Sequence, residues 1–147
     1  MQYKRAGDAI VFNHNINIDI LHPAKYFSLD SEIVKEGLFA GIELGIAKEI
    51  ADNRIIVAGR NFGCGSSREV TTQSFLLNNI NLLVAESFAR IFLRNCVNHR
   101  MILIEVPGVL SCVKDRNNLN IDLEKKVIVN NTQNIEISIK NIFSKFR

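Results

Sequence analysis

The chain has 147 residues, 47% apolar and 22% charged, a composition that fits one domain able to build a core and excludes a largely disordered chain. Eighteen Lys and Arg against fifteen Asp and Glu leave a net charge of +3, and the cations are scattered, so no nucleic-acid-binding stripe is expected. No apolar block follows Met1-Gln2-Tyr3-Lys4-Arg5-Ala6-Gly7-Asp8 and no apolar run reaches about 18 residues, so no membrane span is expected and the cytoplasm is the expected location.

In chain order, Ala9-Ile10-Val11-Phe12 reads as a first strand, and the polar stretch Asn13 to Asp19 as a loop with one ordered piece. Pro23 blocks a helix there, and Ser31 to Ala40 carries Ile33, Val34 and Leu38 at helical spacing, weakened by Gly37. The β-branched run Arg54-Ile55-Ile56-Val57-Ala58 predicts a strand that leads through a glycine-rich loop into a helix. Leu82-Leu83-Val84-Ala85 predicts a second strand, Phe88, Ile91, Phe92 and Asn95 the stripe of a second helix, and Met101 to Val106 a third strand. This βαβαβ run implies parallel pairing. Gly108 to Asn118 reads as a flexible connector, and the period-2 pattern of Leu119, Ile121, Leu123, Val127, Val129, Ile135, Ile137 and Ile139 predicts a small antiparallel ending.

The cysteines, Cys64, Cys96 and Cys112, are odd in number and widely spaced. That fits neither a disulfide framework, a zinc site nor an iron–sulfur run, so no metal is expected in this chain.

The segment Asn61-Phe62-Gly63-Cys64-Gly65-Ser66-Ser67-Arg68-Glu69 joins a buried strand to a helix. Its N–H groups near Ser66 and Ser67 should meet the positive end of the helix dipole, and Arg68 adds a fork of donors suited to a carboxylate or phosphate. Counting excludes a Walker A loop, which needs Lys before Ser or Thr. It also excludes a dinucleotide fingerprint, which needs Gly or Ala at position 68, and a nucleophile elbow, which needs Gly at position 69. A competing reading is purely local: Ser66 and Glu69 have the S-x-x-E spacing of a capping box, which would satisfy two helix-start N–H groups without any substrate.

That segment, followed by Ala85-Glu86-Ser87-Phe88-Ala89-Arg90-Ile91-Phe92 and Arg94-Asn95, resembles the swivelling domain of the aconitase superfamily, in particular small subunits of the 3-isopropylmalate dehydratase type. Asn15-Ile16-Asn17-Ile18-Asp19 and Pro23-Ala24-Lys25-Tyr26 extend the likeness over residues 8 to 106, with a weaker one beyond. The resemblance implies an α/β fold: one swivelling β/β/α domain over residues 1–147, with a parallel βαβαβ core and a small antiparallel ending. Such a domain closes over the active site of a separate large subunit, which carries a [4Fe-4S] cluster as Lewis acid; this chain would hold no cofactor. By the family pattern Ser66 is the catalytic base, Arg68 and the N–H groups at Ser66 and Ser67 hold the substrate carboxylate, and Arg68, Ser67, Gly65 and Asn61 are the substrate-binding residues. Lys25, Tyr26, Phe27 and Ser28 lie in the substrate-specificity loop. The implied reaction is isomerisation of a hydroxy dicarboxylic acid by dehydration and rehydration, as in leucine biosynthesis.

The chain departs from that pattern in three places. Val70 stands where the family usually has His or Gln, followed by Thr71 and Thr72 in place of Ala-Pro; Tyr26 to Asp30 lacks the Arg that many relatives use for selectivity; and Ile18 precedes Asp19 where Thr is common, with Asp19 read as structural. Homoaconitate, methylmalate or dimethylmalate chemistry therefore stays open, as does a non-catalytic anion-binding module. His14, His22 and His99 lie in separate segments and read as surface or packing residues, and Cys64 as packing. Arg90 and Arg94, at i and i+4, suit ion pairs or contacts to the partner subunit.

Overall fold

The computed structural model describes residues 3–43, 45–66 and 68–145. Strands β1 (Lys4–Phe12), β2 (Arg54–Ala58), β3 (Leu82–Ala85) and β4 (Ile102–Glu105) lie parallel, each beside the next. Strands β5 (Asn118–Asp122), β6 (Val127–Asn130) and β7 (Ile135–Ser138) extend the sheet antiparallel from β1, and β8 (Asn141–Phe143) flanks β4, giving the order β7-β6-β5-β1-β2-β3-β4-β8.

The expected core is present: β2, helix α4 (Glu69–Leu77), β3, helix α5 (Arg90–Asn98) and β4. Its strands read as continuous apolar runs because both faces are covered. On one face Ile56, Ala58, Leu83, Ala85 and Leu103 pack under the helices; on the other Ile55, Val57, Leu82, Val84, Ile102 and Ile104 meet Leu119, Ile121 and Ile128 of the antiparallel strands. Among the described residues no helix is long and apolar enough to cross a membrane.

Several elements differ from the sequence expectation. β1 begins at Lys4 instead of Ala9, because its first half pairs antiparallel with β5 and its second half parallel with β2. Helix α1 (Ile18–Leu21) is a single turn ending before Pro23, and α2 (Ser31–Glu36) stops at Gly37, where a side chain would overlap Tyr26 and His22. Helix α3 (Ile46–Ala51) buries Ile46, Ala47 and Ile50. Along α5 Ile91 is not in the core stripe: it is 57% exposed, because Phe92 and Cys96, at i and i+4, set the face that the helix turns to the core. The connector from Gly108 to Asn118 is anchored, not flexible. It buries Val109 and Val113, and the Asn117 side chain accepts hydrogen bonds from Asn130, Gln133 and the Lys114 N–H.

Candidate active site

The loops that leave β1, β2 and β3 meet at the carboxyl edge of the parallel strands, the place where open α/β sheets gather ligand-binding groups. Backbone bonds knit them: Asn15 N–H donates to the Arg60 carbonyl (2.8 Å), Gly63 N–H to Ile16 (2.9 Å), Ile18 N–H to Cys64 (2.8 Å) and Phe62 N–H to Ser87 (3.1 Å). Side chains add to this, with His14 Nδ1 accepting from the Arg60 N–H (2.7 Å) and Ser87 Oγ from the Asn61 N–H (2.9 Å). Beneath the loop runs a chain of phenylalanine rings. Phe12 stacks on Phe39, and Phe39, Phe75, Phe92 and Phe62 follow edge to face with centroids 5.6 to 6.0 Å apart, spacings favourable for aromatic pairs. Phe62 therefore roots the glycine-rich segment in the core.

Gly63 is required on two counts. Its φ is +85°, and a Cβ there would overlap the Phe92 ring. Gly63→Ala is expected to cost about 2 kcal/mol of stability, combining the left-handed strain with overpacking, which urea unfolding of the two chains would measure. Gly65, at φ +95°, brings the backbone against Asn17: a Cβ would stand 3.1 Å from both Asn17 Oδ1 and Nδ2.

Gly65 and an extended Arg68 (φ −125°, ψ 146°) delay the helix, so α4 begins at Glu69 with Arg68 as its N-cap residue and no side-chain cap. The capping box of the competing reading does not form. It needs Ser66 at the cap and Glu69 three residues into the helix, whereas Glu69 is the first helical residue and its carboxylate lies 3.5 Å from His99 Nε2. With this start the donors of the first turn are those of Glu69 and the residues beyond it, and the Thr71 N–H donates to the Arg68 carbonyl (3.1 Å). Ser66 and Arg68 are both exposed; Ser67 lies outside the described residues.

Asn61 has φ +60° and donates its side-chain N–H to Asn15 Oδ1 (3.2 Å), a loop-tying contact beside any ligand role. In the segment expected to set specificity, the 3₁₀ turn Ala24–Tyr26 places Lys25 Nζ 5.4 Å from the Tyr26 ring centre. Tyr26 and Phe27 are half-buried, Phe27 tilted against the His22 ring at 5.3 Å, whereas Lys25, Ser28 and above all Leu29 are exposed. This segment connects to α4 through His22, whose Nδ1 lies 3.4 Å from Thr71 Oγ1.

Sequence reasoning missed Asn17, which caps α1 through its Oδ1 (2.7 Å to Asp19 N–H) and touches Gly65; an Asn ahead of Asp19 and an apolar pair is a legible cap signal. Of the two readings open for His22, surface or packing, the structure takes the second and buries it, a choice that no local pattern decides. Cys96 is buried in α5, and desolvation pushes its thiol up to about 12, which keeps it unreactive. Among the described residues no group of three His, Cys, Asp or Glu is placed to hold a metal, and the three cysteines are dispersed over the glycine-rich loop, α5 and the connector after β4. The described residues therefore bring no set of cysteines together that would fit an iron–sulfur cluster.

Residues 44–108 match the aconitase C-terminal domain family. The chain is 36% identical to the 3-isopropylmalate dehydratase small subunit of Aquifex aeolicus over 88% of this chain and 79% of that one. To the small subunit of Desulfovibrio desulfuricans it is 37% identical over 94% and 83%. The crystal structure of a 3-isopropylmalate dehydratase chain (LeuD) from Methanocaldococcus jannaschii superposes with a TM-score of 0.84 at 34% identity, covering 93% of this chain and 81% of that one.

Proposed function

The chain belongs to the family of 3-isopropylmalate dehydratase small subunits, and from this premise we infer that it is the small chain of a two-chain hydro-lyase acting on an alkyl-bearing hydroxy dicarboxylic acid. It works as one swivelling domain over residues 1–147, together with a larger chain that carries the [4Fe-4S] cluster. The observation that supports this reading most directly is the state of the glycine-rich loop: Ser66 stands exposed ahead of an α4 that has no side-chain cap, with the exposed Arg68 as its N-cap residue.

In this reading Arg68 and the helix-start N–H groups hold a substrate carboxylate, with Ser67, Gly65 and Asn61 around it. Ser66 takes the proton from the carbon next to that carboxylate as the hydroxyl departs, and returns a proton on rehydration. A free serine is a weak base; the positive end of α4 and the Arg68 guanidinium lower the energy of its alkoxide. The segment Lys25, Tyr26, Phe27 and Ser28, continued by Leu29, meets the alkyl substituent. Isopropylmalate is the substrate this reading favours, with the homoaconitate, methylmalate and dimethylmalate reactions as neighbouring alternatives.

Reconstitution tests the two-chain assignment. The isolated chain is expected to fold, since its composition supports a core, and to leave isopropylmalate unchanged until the larger chain is added. Copurification with a larger brown protein whose absorbance bleaches on oxidation would support the assignment. Dehydratase turnover by this chain alone in metal-free buffer would overturn it, and a colourless solo protein that binds malates without turnover would favour an anion-binding module.

A further inference from the structure

His22 lies at 0% exposure in the short link between α1 and the 3₁₀ turn, and three elements converge on its ring. Nε2 is 3.0 Å from the Val34 carbonyl of α2, Nδ1 is 3.4 Å from Thr71 Oγ1 in the first turn of α4, and the Phe27 ring tilts against it at 5.3 Å. A carbonyl oxygen only accepts, so Nε2 carries the proton. Burial lowers the ring's pKa, against a smaller opposing effect of the Val34 carbonyl, and so holds it neutral. Nδ1 is then a bare acceptor, and the Thr71 hydroxyl donates to it.

Thr71 is itself bound to the loop, its N–H donating to the Arg68 carbonyl at 3.1 Å, and its own carbonyl is held by Ser74 Oγ. The backbone of the link is held as well, the His22 N–H donating to the Ile18 carbonyl (2.8 Å), and Tyr26 packs over Gly37 next to the imidazole. A short run of contacts therefore leads from Arg68 through Thr71 and His22 to Phe27.

Resting on the functional reading above, we propose that His22 is a positioning residue, which through Thr71 fixes the separation between the Arg68 end of α4 and the specificity segment Lys25–Ser28. It touches no substrate. A carboxylate held at Arg68 and an alkyl group held at the segment belong to one small molecule, so their spacing sets how well that molecule binds. A single imidazole with a defined tautomer holds that spacing because each ring nitrogen has one partner and the site admits no water-exposed alternative.

Two readouts test the tie. In the isolated full chain, the Tyr26 and Phe27 amides donate to the Pro23 and Ala24 carbonyls at 3.0 Å each and report on the segment by hydrogen exchange. Thr71→Val, which keeps the shape and loses the hydroxyl, and His22→Gln are expected to speed that exchange about tenfold, while Thr71→Ser stays within about threefold of the parent. In the complex with the larger chain the first two variants are expected to raise KM for isopropylmalate about fivefold with kcat within about twofold, and Thr71→Ser to keep both near the parent values. A His22 that only fills the core would lower the melting temperature and leave KM and the exchange rates of the folded protein unmoved, and that result overturns the proposal. A parent complex that turns over no alkyl malate overturns the functional reading instead, and amide exchange still decides whether His22 ties the segment to the helix.

Discussion

Ser66→Ala in the reconstituted enzyme is expected to lower kcat by at least ~10²-fold, the low end of what a positioned acid or base contributes, with KM changed little. That loss corresponds to about 2.7 kcal/mol of transition-state stabilisation. The stability of the chain should hardly change. A serine that capped α4 would cost about 1 kcal/mol on replacement, but the helix starts at Glu69, and Ser66 is an exposed residue ahead of the cap position. Melting and turnover therefore separate the two roles cleanly, and Ser67→Ala supplies the control for the neighbouring hydroxyl. Unchanged kcat in both variants would remove the base from this loop and leave Arg68 and the helix start as a binding site only. Glu69, the first helical residue, offsets part of the positive field, but its side chain is 70% exposed and lies beside His99, so solvent screens its effect on Ser66.

The parts of this arrangement that the sequence made legible are those written in local pattern. Arg54–Ala58 and Leu82–Ala85 form the strands expected of them because two-sided burial demands unbroken apolar runs. The site loop was legible as a motif between a strand and a helix. Its true helix start was not, because S-x-x-E spacing is the same whether or not the chain has turned helical by Ser66, and the left-handed Gly65 with the extended Arg68 decides that it has not. The N-terminal half of β1 was hidden because Lys4 to Asp8 has no apolar alternation and becomes strand only through pairing with β5, over 100 residues away. His22 and Thr71, separated by 49 positions, meet only through tertiary packing, which no local period records. Ile91 fits a helical stripe by spacing and still faces solvent, since the phase of α5 is set by Phe92 and Cys96 in the core.

Replacing Arg68 should act on binding where replacing Ser66 acts on turnover. Arg68 stands at the cap of α4 with its side chain in solvent reach, so a carboxylate placed there meets a guanidinium fork and a helix start at once. Arg68→Ala is expected to raise KM for isopropylmalate about 10²-fold, the upper end for a charge-assisted hydrogen-bonded pair. Arg68→Lys keeps the charge and loses the planar fork, so a rise of about tenfold is expected, intermediate between the two. If Lys restored full affinity, the group would be acting as a point charge and the bidentate contact would be wrong. Selectivity should come from elsewhere, because Tyr26, Phe27 and Leu29 offer apolar surface and no arginine to a third carboxylate. One methylene more or less in such a surface is worth about 1 to 3 kcal/mol, so discrimination among alkyl malates should be modest, whereas an unpaired extra carboxylate should be rejected more strongly. A panel of isopropylmalate, smaller alkyl malates, citrate and homocitrate on the reconstituted complex measures both effects. Equal turnover of citrate would mean that a cation balances its third carboxylate, and the exposed Lys25, whose Nζ lies 5.4 Å from the Tyr26 ring centre, is the residue in that segment able to do so.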